Sequence, residues 1–127
     1  MPEPVAPPKP VHDMNEDETK DWMKKTVVPT MRPRFQAYDA EEFAKVNCVT
    51  CHGEGAKEGK FELPNPKLTK LPITEAGWKA LAEKEPEALK FMKETVLPAM
   101  ATMLGEKPFD PATGKGFGCF DCHTKEQ

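Results

Sequence analysis

The sequence predicts a mostly α-helical protein built from two copies of one unit. Two stretches carry apolar side chains at every fourth position, the spacing of one face of a helix. The first stretch contains Met23, Val27, Met31 and Phe35, and the second contains Met92, Val96, Met100 and Leu104. Each stretch precedes a five-residue motif of the form C-x-x-C-H. No segment alternates apolar and polar residues well enough to predict a strand.

The two units match at the level of individual residues. The segment MKKTVVPTM at 23–31 recurs as MKETVLPAM at 92–100, with six of nine positions identical. Because Met and Pro recur at the same offsets, shared amphipathicity alone does not explain the match. We predict repeat units at about 16–53 and 86–123, joined by a linker over 54–85. Residues 16–127 then form one domain, preceded by a Pro-rich flexible leader over 1–15.

The boundaries of the first unit follow from capping and proline signals. Three polar residues are candidates to cap its helix: Asp13, Asn15 and Asp17. Pro29, like Pro98 in the second unit, lies inside the apolar pattern, so it removes a helical hydrogen bond and is expected to bend the helix. Pro33 is a stop signal for the first helix. Asp39 followed by Glu42 resembles a capping pair and predicts the short helix that carries the first C-x-x-C-H motif.

The region between the motifs divides into a loop and a helix. Residues 53–72 contain scattered Gly, Pro and Asn without a steady period, which predicts long irregular structure. Residues 74–84 predict a helix, and Pro86 predicts the start of the second long helix. Gly105 is its expected end. Asp110, followed by proline, predicts the cap of the short helix that carries the second motif.

The two C-x-x-C-H motifs are typical of covalent haem attachment. Two thiols one helical turn apart each form a thioether to a haem vinyl group, and the adjacent histidine ligates the iron. The motif residues are Cys48, Cys51 and His52, and Cys119, Cys122 and His123, which use all four cysteines of the chain. A zinc site leaves the two adjacent histidines unexplained, and a thioredoxin-like redox pair would need a βαβ context that no strand pattern predicts here. Structural disulfides are also disfavoured, because short C-x-x-C loops are more often redox-active than structural. Only 38% of residues are apolar, so we expect the two units to pack around two covalent haem c groups.

The repeat also predicts the distal iron ligands. Met31 and Met100 occupy equivalent positions near a proline, and we expect them to ligate the two irons. Met23 and Met92 are the fallback pair on the same helix faces, and Met103 is a candidate without a repeat partner. Methionines on an apolar helix face also serve as ordinary core residues. His12 is expected to be solvated.

The only two arginines, Arg32 and Arg34, flank Met31. They are candidates for bidentate contacts to haem propionates, and solvated charges are the open alternative.

A helix with a ligating Met, a turn and C-x-x-C-H resembles the repeat unit of the multihaem cytochrome subunit of photosynthetic reaction centres. The residues that carry this resemblance are Thr30–Phe35 and Val46–Gly53, within units 16–53 and 86–123. That family carries four haems in such repeats, whereas this chain has two motifs. The resemblance implies electron transport in a photosynthetic or respiratory chain.

The predicted function is that of a dihaem c-type cytochrome, a single-electron carrier between periplasmic or membrane-associated redox partners. The open alternative is a dihaem peroxidase-like enzyme or haem-based sensor with one open haem, although we expect no enzyme activity. A net charge of −3 argues against a nucleic-acid partner. We expect localisation in the periplasm or at the outer face of the inner membrane, with no signal or anchor segment in this chain. The leader is a candidate membrane tether or a disordered end.

Overall fold

The computed structural model describes residues 1–53, 63–65, 68–110 and 112–125. Two long helices dominate it. The first long helix joins an α-helix Glu16–Trp22, a π-helical turn Met23–Val27 and an α-helix Val28–Tyr38. The second long helix joins Pro86–Phe91, a π-helical turn Met92–Val96 and Leu97–Leu104.

Four shorter helices complete the described structure. They are a 3-10 helix Val11–Asp13, an α-helix Cys48–His52, an α-helix Glu75–Lys84 and a 3-10 helix Cys119–Asp121. Residue pairing of the strand type occurs, in the described ranges, only as isolated bridges. The predicted mostly-α class is therefore confirmed. Of the predicted linker, residues 54–62 lie outside the described residues.

The sequence repeat has a counterpart in the backbone, because both long helices contain a π-helical turn at the same repeat position. The N–H of Val28 donates to the carbonyl of Met23, and the N–H of Leu97 donates to that of Met92. A proline follows each of these donors. Proline has no N–H and its ring crowds the carbonyl four residues earlier, and the wider π turn accommodates both defects. Each helix thus continues past its proline.

The predicted stop at Pro33 is wrong, because the first long helix continues to Tyr38 with Pro33 inside it. Packing beyond Pro33 stabilises the last turns. The Phe35 ring meets that of Phe91 edge to face with a centroid separation of 5.2 Å, and Tyr38 stacks on Phe91 at 4.3 Å. Burial of large aromatic side chains contributes enough free energy to offset one lost backbone hydrogen bond.

The two long helices pack antiparallel. Near the start of the first, the Trp22 indole N–H donates to the carbonyl of Met103 near the end of the second, at 2.8 Å. Near the end of the first, Phe35 and Tyr38 contact Phe91 near the start of the second. The two copies therefore face each other with their apolar sides. The buried core cluster consists of Val27, Met31, Phe35, Val46, Ala99 and Met103.

Several predicted helix boundaries are confirmed. Asn15 caps the first long helix in a reciprocal capping box with Glu18. The Thr74 side chain accepts from the Gly77 N–H at the start of the helix over 75–84. Pro86 opens the second long helix, and Gly105 ends it with a positive φ of 71°.

Two predicted caps are wrong. Asp39 ends the first long helix, and its carboxylate accepts from the N–H groups of Glu41 and Glu42 in a turn. The carboxylate of Asp110 likewise accepts from the Ala112 N–H. Both side chains close tight turns, a local alternative to helix initiation for aspartate. The short helix of the first motif begins instead after Asn47.

The leader lies along the long helices. Arg34 donates to the carbonyl of Pro2 at 2.8 Å, and Lys9 pairs with Glu18 at 3.0 Å. His12 is exposed, as expected, and its Nδ1 lies 2.6 Å from Glu106, just past the second long helix. The flexibility of the leader and its role as a tether stay predictions. Within the described residues, no helix is both long and apolar enough to cross a membrane.

We expect Phe35→Ala to lower the free energy of unfolding by about 3–5 kcal/mol, because it removes a buried aromatic ring from the contact between the two copies. The matched control is Phe109→Ala, since Phe109 is 48% exposed, and its loss should be about 1 kcal/mol or less. Urea denaturation followed by circular dichroism measures both. Equal losses in the two variants would contradict the described core.

Candidate functional site

The first motif lies on a single, fully capped helical turn. The Asn47 side chain accepts from the Val49 N–H at 2.9 Å, and the Asn47 N–H donates to the Thr50 hydroxyl at 3.1 Å. This reciprocal cap is local, so the sequence around Cys48–His52 is sufficient to form it. Gly53 ends the turn with a φ of 82°. Because Cys48 and Cys51 are three residues apart on this turn, both thiols lie on one side of it.

The second motif lies on a 3-10 turn, Cys119–Asp121, that is closed in the same way. The N–H of Gly118 donates to the Asp121 carboxylate at 2.7 Å. Thr50 and Asp121 both occupy the third position of C-x-x-C-H, and both accept from the backbone N–H that precedes the first cysteine. The His123 N–H donates to the Cys119 carbonyl at 2.9 Å. The two motifs therefore share one closure despite their different helix types.

The structure brings the two motifs together through Asn65, whose side chain is buried. The backbone N–H of Asn65 donates to the Cys122 carbonyl at 2.8 Å, and its side-chain amide donates to the Cys51 carbonyl at 3.1 Å. A Cβ added at Gly53 would lie 3.2 Å from this amide, so the first motif approaches it closely. One residue thus binds the second cysteine of both motifs.

The pairing continues beyond Asn65. Residues 65 and 123 form a parallel bridge, as do 71 and 125. The Leu71 N–H donates to the Thr124 carbonyl at 2.9 Å. Trp78, in the helix over 75–84, packs edge to face on Phe120 inside the second motif at 6.3 Å. The second motif is therefore held by the chain that follows the first.

The ring of His123 is oriented by a backbone carbonyl. Its Nδ1 lies 2.7 Å from the carbonyl oxygen of Thr69. A carbonyl only accepts, so Nδ1 carries a proton, and in the neutral ring Nε2 keeps its lone pair for a metal. Histidine ligands of metals commonly hold this second hydrogen bond, which fixes the tautomer and the ring orientation. His52 ends its helical turn and is half-buried.

Three of the four motif thiols lie in desolvated surroundings. Burial raises the pKa of Cys51 and of Cys119, and it raises the pKa of Cys122 to about 12, with a further contribution from the neighbouring Cys51. Burial disfavours the charged thiolate, which suits a position against an apolar ligand. None of the four cysteines, all within the described ranges, forms a disulfide.

The candidate distal methionines all lie in or against the core. Met31 is buried beside Val46, two residues before Cys48. Met103 is fully buried, whereas Met100 and the fallback pair Met23 and Met92 are partly buried against the same cluster. The first long helix is therefore in contact with the segment that leads into the first motif. The choice of Met31 and Met100 as ligands stays a prediction.

Both arginines bind backbone carbonyls. Arg32 donates through Nε and Nη2 to the carbonyl of Val46, at 3.2 and 3.0 Å. Arg34 donates to the carbonyls of Thr30 and Pro2, each at 2.8 Å. Arg32 thus ties the first long helix to the first motif. The predicted contacts to propionates stay predictions.

The third-position oxygens and Asn65 were missed by the sequence analysis. An oxygen-bearing side chain three residues after a cap position is a capping-box signal, and it occurs at Thr50 after Asn47. Asn65 has no such local signal, because its partners Cys51 and Cys122 are distant in sequence.

The residue types and their arrangement fit covalent haem. Each motif offers two thiols on one side of a short turn, with Cys51, Cys119 and Cys122 desolvated, and the neutral ring of His123 offers an Nε2 lone pair. Among the residues that the structure describes, no group of three or more His, Cys, Asp or Glu side chains is placed to hold a metal ion by itself. Comparison with known protein families, with curated proteins and with solved structures finds no match.

We expect ¹⁵N NMR spectra to show His123 with Nδ1 protonated and slow to exchange, because the Thr69 carbonyl holds that proton. The control is His12, whose Nδ1 also contacts a partner, Glu106, but whose side chain is 62% exposed, so its ring protons should exchange faster than the Nδ1 proton of His123. A His123 ring protonated at Nε2 alone would contradict the described orientation.

Proposed function

We propose that this protein is a dihaem c-type cytochrome that carries single electrons between redox partner proteins. The observation that carries the proposal is the meeting of two complete C-x-x-C-H motifs at Asn65. A single C-x-x-C-H motif is short enough to occur by chance. Two such motifs whose turns are closed by the same hydrogen bond are harder to explain by a function other than haem attachment. The tautomer of His123 supports the proposal, because it leaves Nε2 for iron.

Three kinds of side chain would hold the two haems: cysteine, histidine and methionine. Cys48 and Cys51, and likewise Cys119 and Cys122, would form the thioethers that attach each haem to its capped turn. His52 and His123 would each supply one protein ligand to an iron, and Met31 and Met100 would supply the second. When bound, haem supplies reversible one-electron chemistry at iron. A methionine ligand opposite histidine raises the reduction potential.

Packing of the methionines favours electron transfer over catalysis. Met31 is 4% exposed, and its helix is held by core contacts on both sides of the π turn. A buried ligand on a packed helix is displaced only at a cost in core packing, so exogenous ligands have poor access to the iron it binds. With such a ligand on each iron, the protein would carry electrons and would not turn over a substrate.

The rival function is a dihaem peroxidase-like enzyme or a haem-based sensor, either of which needs one iron with an open face. Met100, the ligand proposed for the haem of the second motif, is less buried than Met31. The second haem is therefore the one whose iron would have an open face in this rival function. A high-spin signal in the spectrum of the oxidised protein would favour this rival function.

The partners and location follow from the same chemistry. We propose redox proteins as partners, either a membrane complex or a soluble cytochrome, in a respiratory or photosynthetic chain. Covalent haem attachment in bacteria takes place outside the inner membrane, so we propose a periplasmic location with the leader as a candidate tether. The resemblance of residues 16–53 and 86–123 to the reaction-centre cytochrome repeat supports electron transport.

The polypeptide should gain the mass of two haems under denaturing conditions, because thioether bonds survive unfolding. The double variant Cys119→Ala/Cys122→Ala should lose one haem, and Cys48→Ala/Cys51→Ala should lose the other. Mass spectrometry of the intact chains measures all three. A wild-type chain with one haem or none would overturn the proposed function.

Met31→Ala and Met100→Ala should each abolish the methionine-to-iron charge-transfer band of one haem and lower its potential, since axial ligands set haem potentials over a range of roughly 0.8 V. Met23→Ala and Met92→Ala are the matched controls on the same helices. If the bands are lost in the controls instead, the fallback pair ligates the irons. Loss in none of the four variants would contradict methionine ligation by either pair.

A further inference from the structure

Asn65 forms hydrogen bonds to both C-x-x-C-H motifs. It is 5% exposed, lies outside both repeat units and has no equivalent in either. Its two donors reach the carbonyls of Cys51 and Cys122, which occupy the same position in the two motifs. One residue therefore contacts the equivalent carbonyl of both motifs, with its backbone N–H in the second motif and its side-chain amide in the first, and so fixes how far apart the motifs lie.

The segment around Asn65 has no other regular structure to hold it. Its described residues, 63–65 and 68–71, form no helix. Apart from the Asn65 side chain, which donates to Cys51, their backbone bridges join the second motif and the residues just after it. The Leu71 N–H bonds to Thr124, and the Thr69 carbonyl orients His123. The contacts of this short segment are therefore directed at the attachment sites.

We propose that Asn65 is a positioning residue that holds the two attachment motifs in fixed contact, so that they act as one unit. This inference rests on the proposed function for the identity of the attached groups. The contact itself is a property of the polypeptide. Two groups attached to Cys51 and Cys122 would then be neighbours with a fixed relative orientation, as a short electron relay requires.

The test compares Asn65→Ala with Asn15→Ala. Asn15 also uses its side chain and its backbone to make two hydrogen bonds, but these are exposed, join it to Glu18 at the start of the first long helix and lie away from the motifs. Amide hydrogen exchange in the full-length protein should be slow at Asn65 and Leu71, and Asn65→Ala should accelerate it at Leu71 about tenfold or more. Asn15→Ala should leave Leu71 unchanged and accelerate exchange at Glu18.

A second measurement reports on the attached groups. Two close haems with a fixed orientation give a bilobed circular dichroism signal in the Soret region, and Asn65→Ala should weaken it while both haems stay attached by mass. Asn15→Ala should preserve the signal. Asn65→Asp, nearly isosteric, should act like Asn65→Ala at Cys51, because a carboxylate cannot donate to that carbonyl.

The outcomes separate this inference from the proposed function. A wild-type chain without haem refutes the proposed function, while exchange at Asn65 and Leu71 still tests the contact. Unprotected Asn65 and Leu71 amides in the wild-type protein overturn the inference, and this measurement needs no variant to fold. Equal exchange at Leu71 in wild type and Asn65→Ala, or an unchanged Soret signal in both Asn65 variants, also overturns it.

Discussion

The packing of one repeat against the other is the contact on which the rest of the structure depends. An amphipathic helix buries its apolar face only against a second apolar face, and the duplicated unit supplies that face from its own copy. Antiparallel packing brings Trp22 to Met103 at one end and Phe35 to Phe91 at the other. The π turns preserve this contact, because they let both helices continue past their prolines.

The two C-x-x-C-H motifs are joined to this helix pair by a few polar contacts. Arg32 binds the Val46 carbonyl ahead of the first motif, and Asn65 joins the first motif to the second. With 38% apolar residues, the chain has little further apolar surface to bury. The two proposed haems would add large apolar rings to the interior, so their attachment would contribute to folding as well as to the proposed electron transfer.

The sequence predicts what depends on local chemistry and repetition. Period-four apolar residues located both long helices, and Pro86 and Gly105 marked the limits of the second. The end predicted at Pro33 was wrong because a proline acts only on its own turn of helix. The packing of Phe35 and Tyr38 on Phe91, which is distant in sequence, stabilises the helix beyond it. Asp39 misled because aspartate closes a turn as readily as it caps a helix. The role of Asn65 could not be predicted, because its partners Cys51 and Cys122 are distant in sequence and no local pattern links them to it.

The two motifs differ in the residue at their third position but share the hydrogen bond that this residue accepts. Thr50 is neutral and Asp121 is acidic, yet each accepts from the backbone N–H ahead of its first cysteine. Asp121 is exposed, so solvent and salt screen its charge. The shared requirement at this position is thus an acceptor oxygen that closes the turn and keeps the two thiols on one side. The charge at this position differs between the two motifs, so their surroundings are chemically unequal although their turns are closed in the same way.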